Sequence, residues 1–574
     1  MKIDKLMKWS ESKRDLLILL ALSFILKVTI ALFTKVINQD AVQYITAAQE
    51  FAAGHFNDGL ALYPMPFYPL LIVLVHKFIP HWIAAARLVS LVTSVLTLIP
   101  LYLLTKDLFD RKVALWCSAA FALSPLPNHL SVEVIRDPSY LFFFAWAIYF
   151  IQYAIRSKRP QHFLLASVFS SLSVLCRLEG VILFPCSIVF IVYLALRKAK
   201  DRFVLLRGLS IYVIFPVLFF GIASLALQAG VNNGIANIKH FNRVDDILEP
   251  LKTLYGFKFL ANYHLIYEKL KIFEQSISTN EGGKYFVELV RHYMPAIYFI
   301  GVLVALIKTL FPPFVLPLGI GLKSSKARNS AFVVFLVSCY LLMLYFAFIT
   351  IASTRARARW LLAPAFLLYP WIGVGMQRAV NYFRQGTWKR ALIIVLIFLL
   401  GVLSVYESVD ILWKQDNVTV RAGRWLKKRP DFRTAKIITT DPRVPFYAGR
   451  GADYIRYRTS DYSSLEKRAL KEKADLLIIR TSKKRGRPGS KIGKFSKIKE
   501  FVGVKNIVSI YLPIPMKSPG ESESFRQSQQ AAPRLCSPSE TSSGQAGQAG
   551  RRQLAAKGPD PLVKPRIAQI SAES

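Results

Sequence analysis

The stretch LLILLALSFILKVTIALFTKVINQDAVQY, residues 16–44, turns on where its apolar run stops. Residues 16–36 are long and apolar enough to cross a hydrocarbon core. The chain then presents an acid, Asp40, with Gln43 and Tyr44 one turn further on. A helix beginning near residue 39 places Asp40, Gln43, Tyr44 and Ala47 on one face, at the point where the chain leaves the membrane.

Runs of this kind recur. The chain has 574 residues, 53% of them apolar, and a mean hydropathy of +0.35. Candidate spans fall at roughly 16–36, 82–105, 113–129, 139–155, 162–177, 179–196, 204–229, 292–310, 330–352, 360–377 and 391–409, about eleven by the length rule. This is a polytopic α-helical membrane protein. The net charge of +40 would suggest nucleic acid for a soluble chain. Here much of it lies in short loops such as Lys106–Lys112, Arg156–Arg159 and Arg197–Arg207, where basic residues hold loops on the cytoplasmic side. The remainder suits membrane lipids or a lipid phosphate, and nucleic acid is not an expected partner. The five cysteines have no metal-ligand spacing and no disulfide pattern.

The basic N-terminus reads as the flank of a retained first span, with the N-terminus cytoplasmic. Residues 64–78, short and Pro-rich at their start, read as an interfacial or re-entrant helix; as a span they would invert every later loop. Residues 37–81 and 230–291 are then outer loops of a membrane domain covering 1–409. From 410 to 515, helix and strand patterns alternate: VRAGRWLKKRPDF, AKIITTD, DYSSLEKRALKEKA, DLLIIR and NIVSIYLP. They predict a small extracytoplasmic α/β domain. Residues 516–574, rich in Ser, Gln, Gly, Ala and Pro, predict a disordered tail.

Four groups could carry chemistry. Asp40 either caps its helix or serves as a base for a hydroxyl nucleophile. In SVEVIRDPSY (131–140), Glu133 and Arg136 could be a local ion pair and Asp137 a helix starter, or all three could build a polar site that also holds a divalent cation. In CRLEG (176–180), Arg177 and Glu179 sit at the membrane edge, where ionisable groups are rare and usually functional, although a snorkelling Arg paired with its neighbour would look the same. In STRARARW (353–360), Arg355, Arg357 and Arg359 break the positive-inside trend. They could grip a lipid-linked phosphate or only anionic headgroups. The basic RGRPG (485–489) and the sequon at Asn417 carry little weight. No phosphate-binding Gly loop, catalytic Ser/His/Asp set or His/Cys cluster is visible.

Taken in order, the first-loop acid, PFYPLL, AARLVSLVTSVLTLIPLYLLTKDLFDRKVAL, the acidic second loop, CRLEG and RARWLLAPAF resemble the GT-C integral-membrane glycosyltransferases. The chain is similar to protein O-mannosyltransferases and lipid A aminoarabinose transferases, well over 15–200 and moderately over 330–450. The resemblance implies inverting transfer of a sugar from a polyprenyl-phosphate donor to a lipid, glycan or protein acceptor outside the membrane, in a bacterial inner membrane. It implies Asp40 as the catalytic acid of the first loop, where many relatives have two adjacent acids and this chain has Gln39. It implies Arg136, Arg177, Arg359, Arg357 and Tyr44 as donor-phosphate or substrate contacts, with Glu133, Asp137 and Glu179 as further polar candidates. Metal use stays open, with a divalent cation as the candidate cofactor. The competing class is a lipid-linked-sugar transporter or flippase; paired halves with broken helices would mark one, and none is visible.

Overall fold

The computed structural model describes residues 2–232, 300–324, 327, 330–353, 358–383, 387–413, 415–451, 453–457 and 461–514. The expected second outer loop from residue 233 onward, the expected disordered tail, and Arg355 and Arg357 lie outside the described residues. The chain divides into two compact units, 1–417 and 418–574.

The first unit is helical. Its first half runs α1 (Lys2–Phe33), α2 (Gln39–Ala52), α3 (Phe56–Leu62), α4 (Phe67–His76), α5 (Trp82–Leu96), α6 (Leu98–Leu108), α7 (Arg111–Leu123), α8 (Pro125–Val132), α9 (Asp137–Ser157), α10 (Pro160–Cys176), α11 (Leu183–Arg197) and α12 (Arg202–Asn232). The helices Val315–Ser324, Ser330–Ser353, Leu362–Phe383 and Thr387–Trp413 follow.

Among the described residues seven helices are long and apolar enough to cross a membrane, or eight if the pair Ile300–Leu310 and Pro312–Lys323, bent by 93°, counts as one. The protein is therefore an integral membrane protein. The expected span 113–129 is split by Pro125, which lacks the N–H to continue α7 and instead opens α8. Residues 64–78 contain only the ten-residue α4. The last span, Ala391–Asp410, lies within the helix Thr387–Trp413, which continues past the apolar run.

Small and hydroxylated residues set the helix contacts, as expected where lipid gives no hydrophobic drive to association. A Cβ on Gly373 would lie 2.6 Å from the Val113 carbonyl oxygen, so glycine lets Leu362–Phe383 lie directly on α7. Ser167 donates to the Tyr212 carbonyl at 2.7 Å, tying α10 to α12. Fully buried Lys27 donates to Asn128 Oδ1 at 2.5 Å, and Asn128 Nδ2 to Ser408 Oγ at 3.0 Å, which links α1, α8 and the last span.

The second unit is a six-stranded sheet in the order β2-β1-β3-β6-β5-β4, made of β1 (Ile437–Thr439), β2 (Ile455–Arg456), β3 (Leu476–Ser482), β4 (Lys491–Ile492), β5 (Phe495–Val502) and β6 (Asn506–Pro513). β1 is parallel to β2 and β3, and the remaining pairs are antiparallel. Helix Val418–Lys427 buries Val418, Ala422 and Leu426 against one face; helix Tyr462–Lys471 buries Leu465 and Ala469 against the other. The alternation of Ile437 and Ile438, and of Leu476, Leu477 and Ile478, supplies both cores.

Candidate active site

The site is built around the start of α2. Asn38, not Asp40, is the N-cap: its side-chain oxygen accepts from the Ala41 N–H at 2.7 Å. Its amide donates to the Val134 carbonyl at 3.1 Å and to Glu133 Oε2 at 3.3 Å, which joins the first outer loop to the short link between α8 and α9. Asp40, in the first turn, is thereby released from capping and receives Arg359 Nη1 at 3.0 Å. This pair is partly open to solvent, with side-chain exposures of 20% for Arg359 and 31% for Asp40.

Beside it stands a second, buried cluster. Arg177 bonds Asp137 Oδ1 through Nη1, and holds Glu179 through Nη2 and through Nε at 3.2 Å. Its side chain is 4% exposed and that of Asp137 is 2% exposed. Asp137 is the first residue of α9, with Pro138 fixing its first turn, and Arg177 is itself the extended residue that ends α10. The Arg177 guanidinium lies 4.8 Å from the Trp360 ring centre, so the two arginines share one wall. Arg177, Glu179, Arg359, Trp360, Tyr140 and Met343 line a cleft that admits about one water molecule. Four buried polar atoms around it have no hydrogen-bond partner among the described residues: Arg359 Nε, Trp360 Nε1, Tyr140 OH and Asp137 Oδ2.

The remaining expected residues are placed differently from their simplest reading. Glu133 and Arg136 form no local pair; Glu133 faces Asn38, and Arg136 Nη1 donates to Tyr63 OH at 2.5 Å and lies 2.8 Å from Met65 Sδ. Burial raises the Glu133 carboxyl above its usual range, the Asn38 bond opposing it. Arg177 does not snorkel, because two carboxylates hold it inside. Tyr44 does not face a cavity: it is 4% exposed and packs edge-on to Tyr63 at 4.8 Å and Tyr68 at 5.1 Å. Burial raises its hydroxyl well above the ordinary tyrosine value. Its ring backs Tyr63, which in turn receives Arg136.

Tyr63, Met65, Tyr140, Trp360 and Asn38 join the site without having been singled out from sequence. An Asn two residues before the acid is a capping signal that could have marked Asn38; nothing local marks Tyr63. The acids of the site do not gather three ligand atoms. Among the described residues, Glu50, His55 and Asp58 do, with ligand atoms within 4.8 Å of one another, at the far end of α2 from Asp40.

Residues 63–220 match the model of the dolichyl-phosphate-mannose-protein mannosyltransferase family. The chain is also similar in structure to an Archaeoglobus fulgidus oligosaccharyltransferase solved with Zn and sulfate, with a TM-score of 0.51 at 14% identity over 80% of this chain and 67% of that one. This is a GT-C fold. ArnT from Cupriavidus metallidurans, bound to undecaprenyl phosphate, aligns with 86% of this chain and 97% of its own at 11% identity and a TM-score of 0.49. No curated protein matches the sequence. On the GT-C fold, the family match covers the segment from Tyr63 through α9 and CRLEG to α12, and so takes in Arg136, Asp137, Arg177 and Glu179.

Proposed function

We propose that this protein transfers a sugar from a polyprenyl-phosphate donor to a hydroxyl of a lipid, glycan or protein acceptor, with inversion, on the outer face of a bacterial inner membrane. The Asp40–Arg359 pair carries the reading. At rest the guanidinium neutralises the carboxylate. A donor phosphate competes for the same guanidinium, which binds phosphate as readily as carboxylate. As Arg359 turns to the phosphate, Asp40 loses that counter-charge and faces the sugar as the base.

Asp40 then takes the proton of the acceptor hydroxyl while the acceptor's oxygen bonds to the anomeric carbon. The bond from that carbon to the phosphate oxygen breaks on the opposite side, and polyprenyl phosphate leaves. Arg359 Nε, Trp360 Nε1 and Tyr140 OH, all lacking partners among the described residues, would meet the charge growing on the phosphate. Arg136 is the next donor contact, and Arg357 belongs to the same segment as Arg359. Arg177 already faces two carboxylates, Asp137 and Glu179, so its part is to shape the wall. The acids of the site offer a divalent cation no three-ligand set among the described residues, so no step runs through one. This orientation puts the N-terminus in the cytoplasm and the sheet unit outside.

The test is transfer from a labelled polyprenyl-phosphate sugar in proteoliposomes supplied with envelope acceptors. Asp40→Asn should abolish transfer while the donor still binds. Transfer at the normal rate by Asp40→Asn would sink the base assignment, and donor translocation without transfer by the wild type would favour a flippase.

A further inference from the structure

The sheet unit carries a stretch of one-sided charge that the reaction above does not use. Residues 483–505, KKRGRPGSKIGKFSKIKEFVGVK, hold nine lysines and arginines and a single acid, Glu500. They comprise the loop after β3, opened by the turn Lys483–Arg485, the edge strand β4, β5, and the turn into β6. Glu500 is already engaged: Lys497 Nζ donates to its Oε2 at 2.5 Å, and Arg487 Nε lies 3.9 Å from its Oε1. Lys483, Lys484, Arg485, Lys491, Lys494 and Lys499 are exposed, and their side chains make no ion pair among the described residues. Lysines on an edge strand also hinder pairing with a second sheet. That role fits Lys491 and Lys499, but gives no reason for the four cations of the preceding loop.

The loop is pinned to the sheet. The Ser490 carbonyl accepts from the Lys497 N–H at 2.8 Å, the Gly489 carbonyl from Tyr511 OH at 3.0 Å, and the Pro488 carbonyl from Lys497 Nζ at 2.7 Å. Its cations are therefore presented from a fixed surface. Two apolar side chains stand exposed in the same stretch. Val504, in the turn after β5, is 67% exposed, and Ile498, at the irregularity between Lys497 and Lys499, is 38% exposed. Cations that meet headgroups, with apolar groups that enter the boundary beneath them, are the means by which a surface binds a bilayer.

Chain connection adds a reason for that partner. The last span lies in the helix that ends at Trp413, and the sheet unit begins at Val418. Residues 414–417 can reach no more than about 15 Å. The unit is thus always near a lipid surface, which any soluble acidic partner would have to displace.

We propose that residues 483–505 form a docking surface for anionic phospholipid headgroups and hold the sheet unit against the bilayer.

Hydrogen exchange of the full chain, read by mass spectrometry on peptides covering 483–505, tests this. The protein is held in discs of phosphatidylcholine alone or of phosphatidylcholine with phosphatidylglycerol. Exchange should be slower by roughly tenfold in the anionic discs, the effect of a few engaged surface cations, and high salt should abolish the difference. The combined variant Lys483→Gln, Lys484→Gln, Arg485→Gln and Arg487→Gln should lose most of the slowing. The variant Lys484→Arg, Arg485→Lys and Arg487→Lys, which keeps the charge, should retain it. Should the glutamine variant unfold, seen as faster exchange over β1 and β3, the wild-type comparison and its salt reversal decide alone. Equal exchange in the two discs, or slowing undiminished in a folded glutamine variant, overturns the surface. Slowing by soluble polyglutamate in phosphatidylcholine discs, without slowing by phosphatidylglycerol, overturns it in favour of an acidic protein. Asp40→Asn should leave the slowing unchanged, so the outcome is independent of the transfer reaction.

Discussion

Asp40 and Arg359 are 319 positions apart in sequence, and their side chains meet at 3.0 Å. The contact joins the first outer loop to the segment that opens the helix Leu362–Phe383, and puts a carboxylate and a guanidinium within one hydrogen bond of each other.

The Asp40→Asn variant should lose about 10²–10⁴ of the transfer rate, the usual contribution of a positioned base. Its donor affinity should be unchanged or rise, since Arg359 is then released from a carboxylate. A transfer assay paired with donor titration reads both quantities.

Arg359→Lys retains charge without the planar fork. Its KM for the donor should rise more than for the acceptor, and Arg359→Gln should lower kcat as well, by roughly tenfold or more for a lost charged hydrogen bond at the leaving group. Steady-state kinetics at two donor concentrations ranges would show the split.

Arg177→Met should act on stability instead. It leaves Asp137 and Glu179 buried without their cation, a loss of about 3–5 kcal/mol. Thermal unfolding in detergent should show a large fall in midpoint, whereas Arg359→Gln, at a partly exposed pair, should barely move it.

Acid should loosen the sheet unit through Asp441. Burial pushes its carboxyl up, but Arg443 and Arg480 outweigh burial and hold it below the usual carboxylate range. A lowered folded-state value means stability fully present above the unfolded value of about 3.9 and lost as pH falls through the folded one. Asp441→Asn should be less stable at neutral pH and should show a flatter acid limb, as followed by hydrogen exchange in residues 437–447.

Asn38→Ala removes the cap of α2 and the bonds to Glu133 and Val134 between α8 and α9. The cap alone is worth about 1 kcal/mol. Because Asp40 is the nearest group able to replace it, transfer should fall along with stability, and Asn38→Asp or Asn38→Ser should restore more than Ala.

Much of this arrangement could be read from sequence because membrane chemistry makes charge conspicuous. Asp40 stood out by following an apolar run, Arg177 and Glu179 by sitting at a membrane edge, and Arg359 by breaking the charge trend of the loops. Beyond the local pair of Arg177 with Glu179, what could not be read was pairing. Arg136 has an acid three residues before it, yet bonds Tyr63 and Met65 across the fold. Tyr44 shares a helix with Asp40 but turns inward to aromatic neighbours, a choice made by tertiary packing. In the sheet unit β1, β3 and β6 were plain apolar runs. β5, whose FSKIKEFV intersperses lysines because it lies between β6 and the short β4, gave no such run.

The partial exposure of the Asp40 carboxylate has a chemical consequence. A carboxylate able to deprotonate an alcohol can deprotonate water equally well, and hydrolysis would then waste the carrier-bound sugar. Asp40 is 31% exposed before substrates enter, so that competitor is displaced only when donor and acceptor themselves cover the carboxylate, and the choice between acceptor and water is made by access before any proton moves.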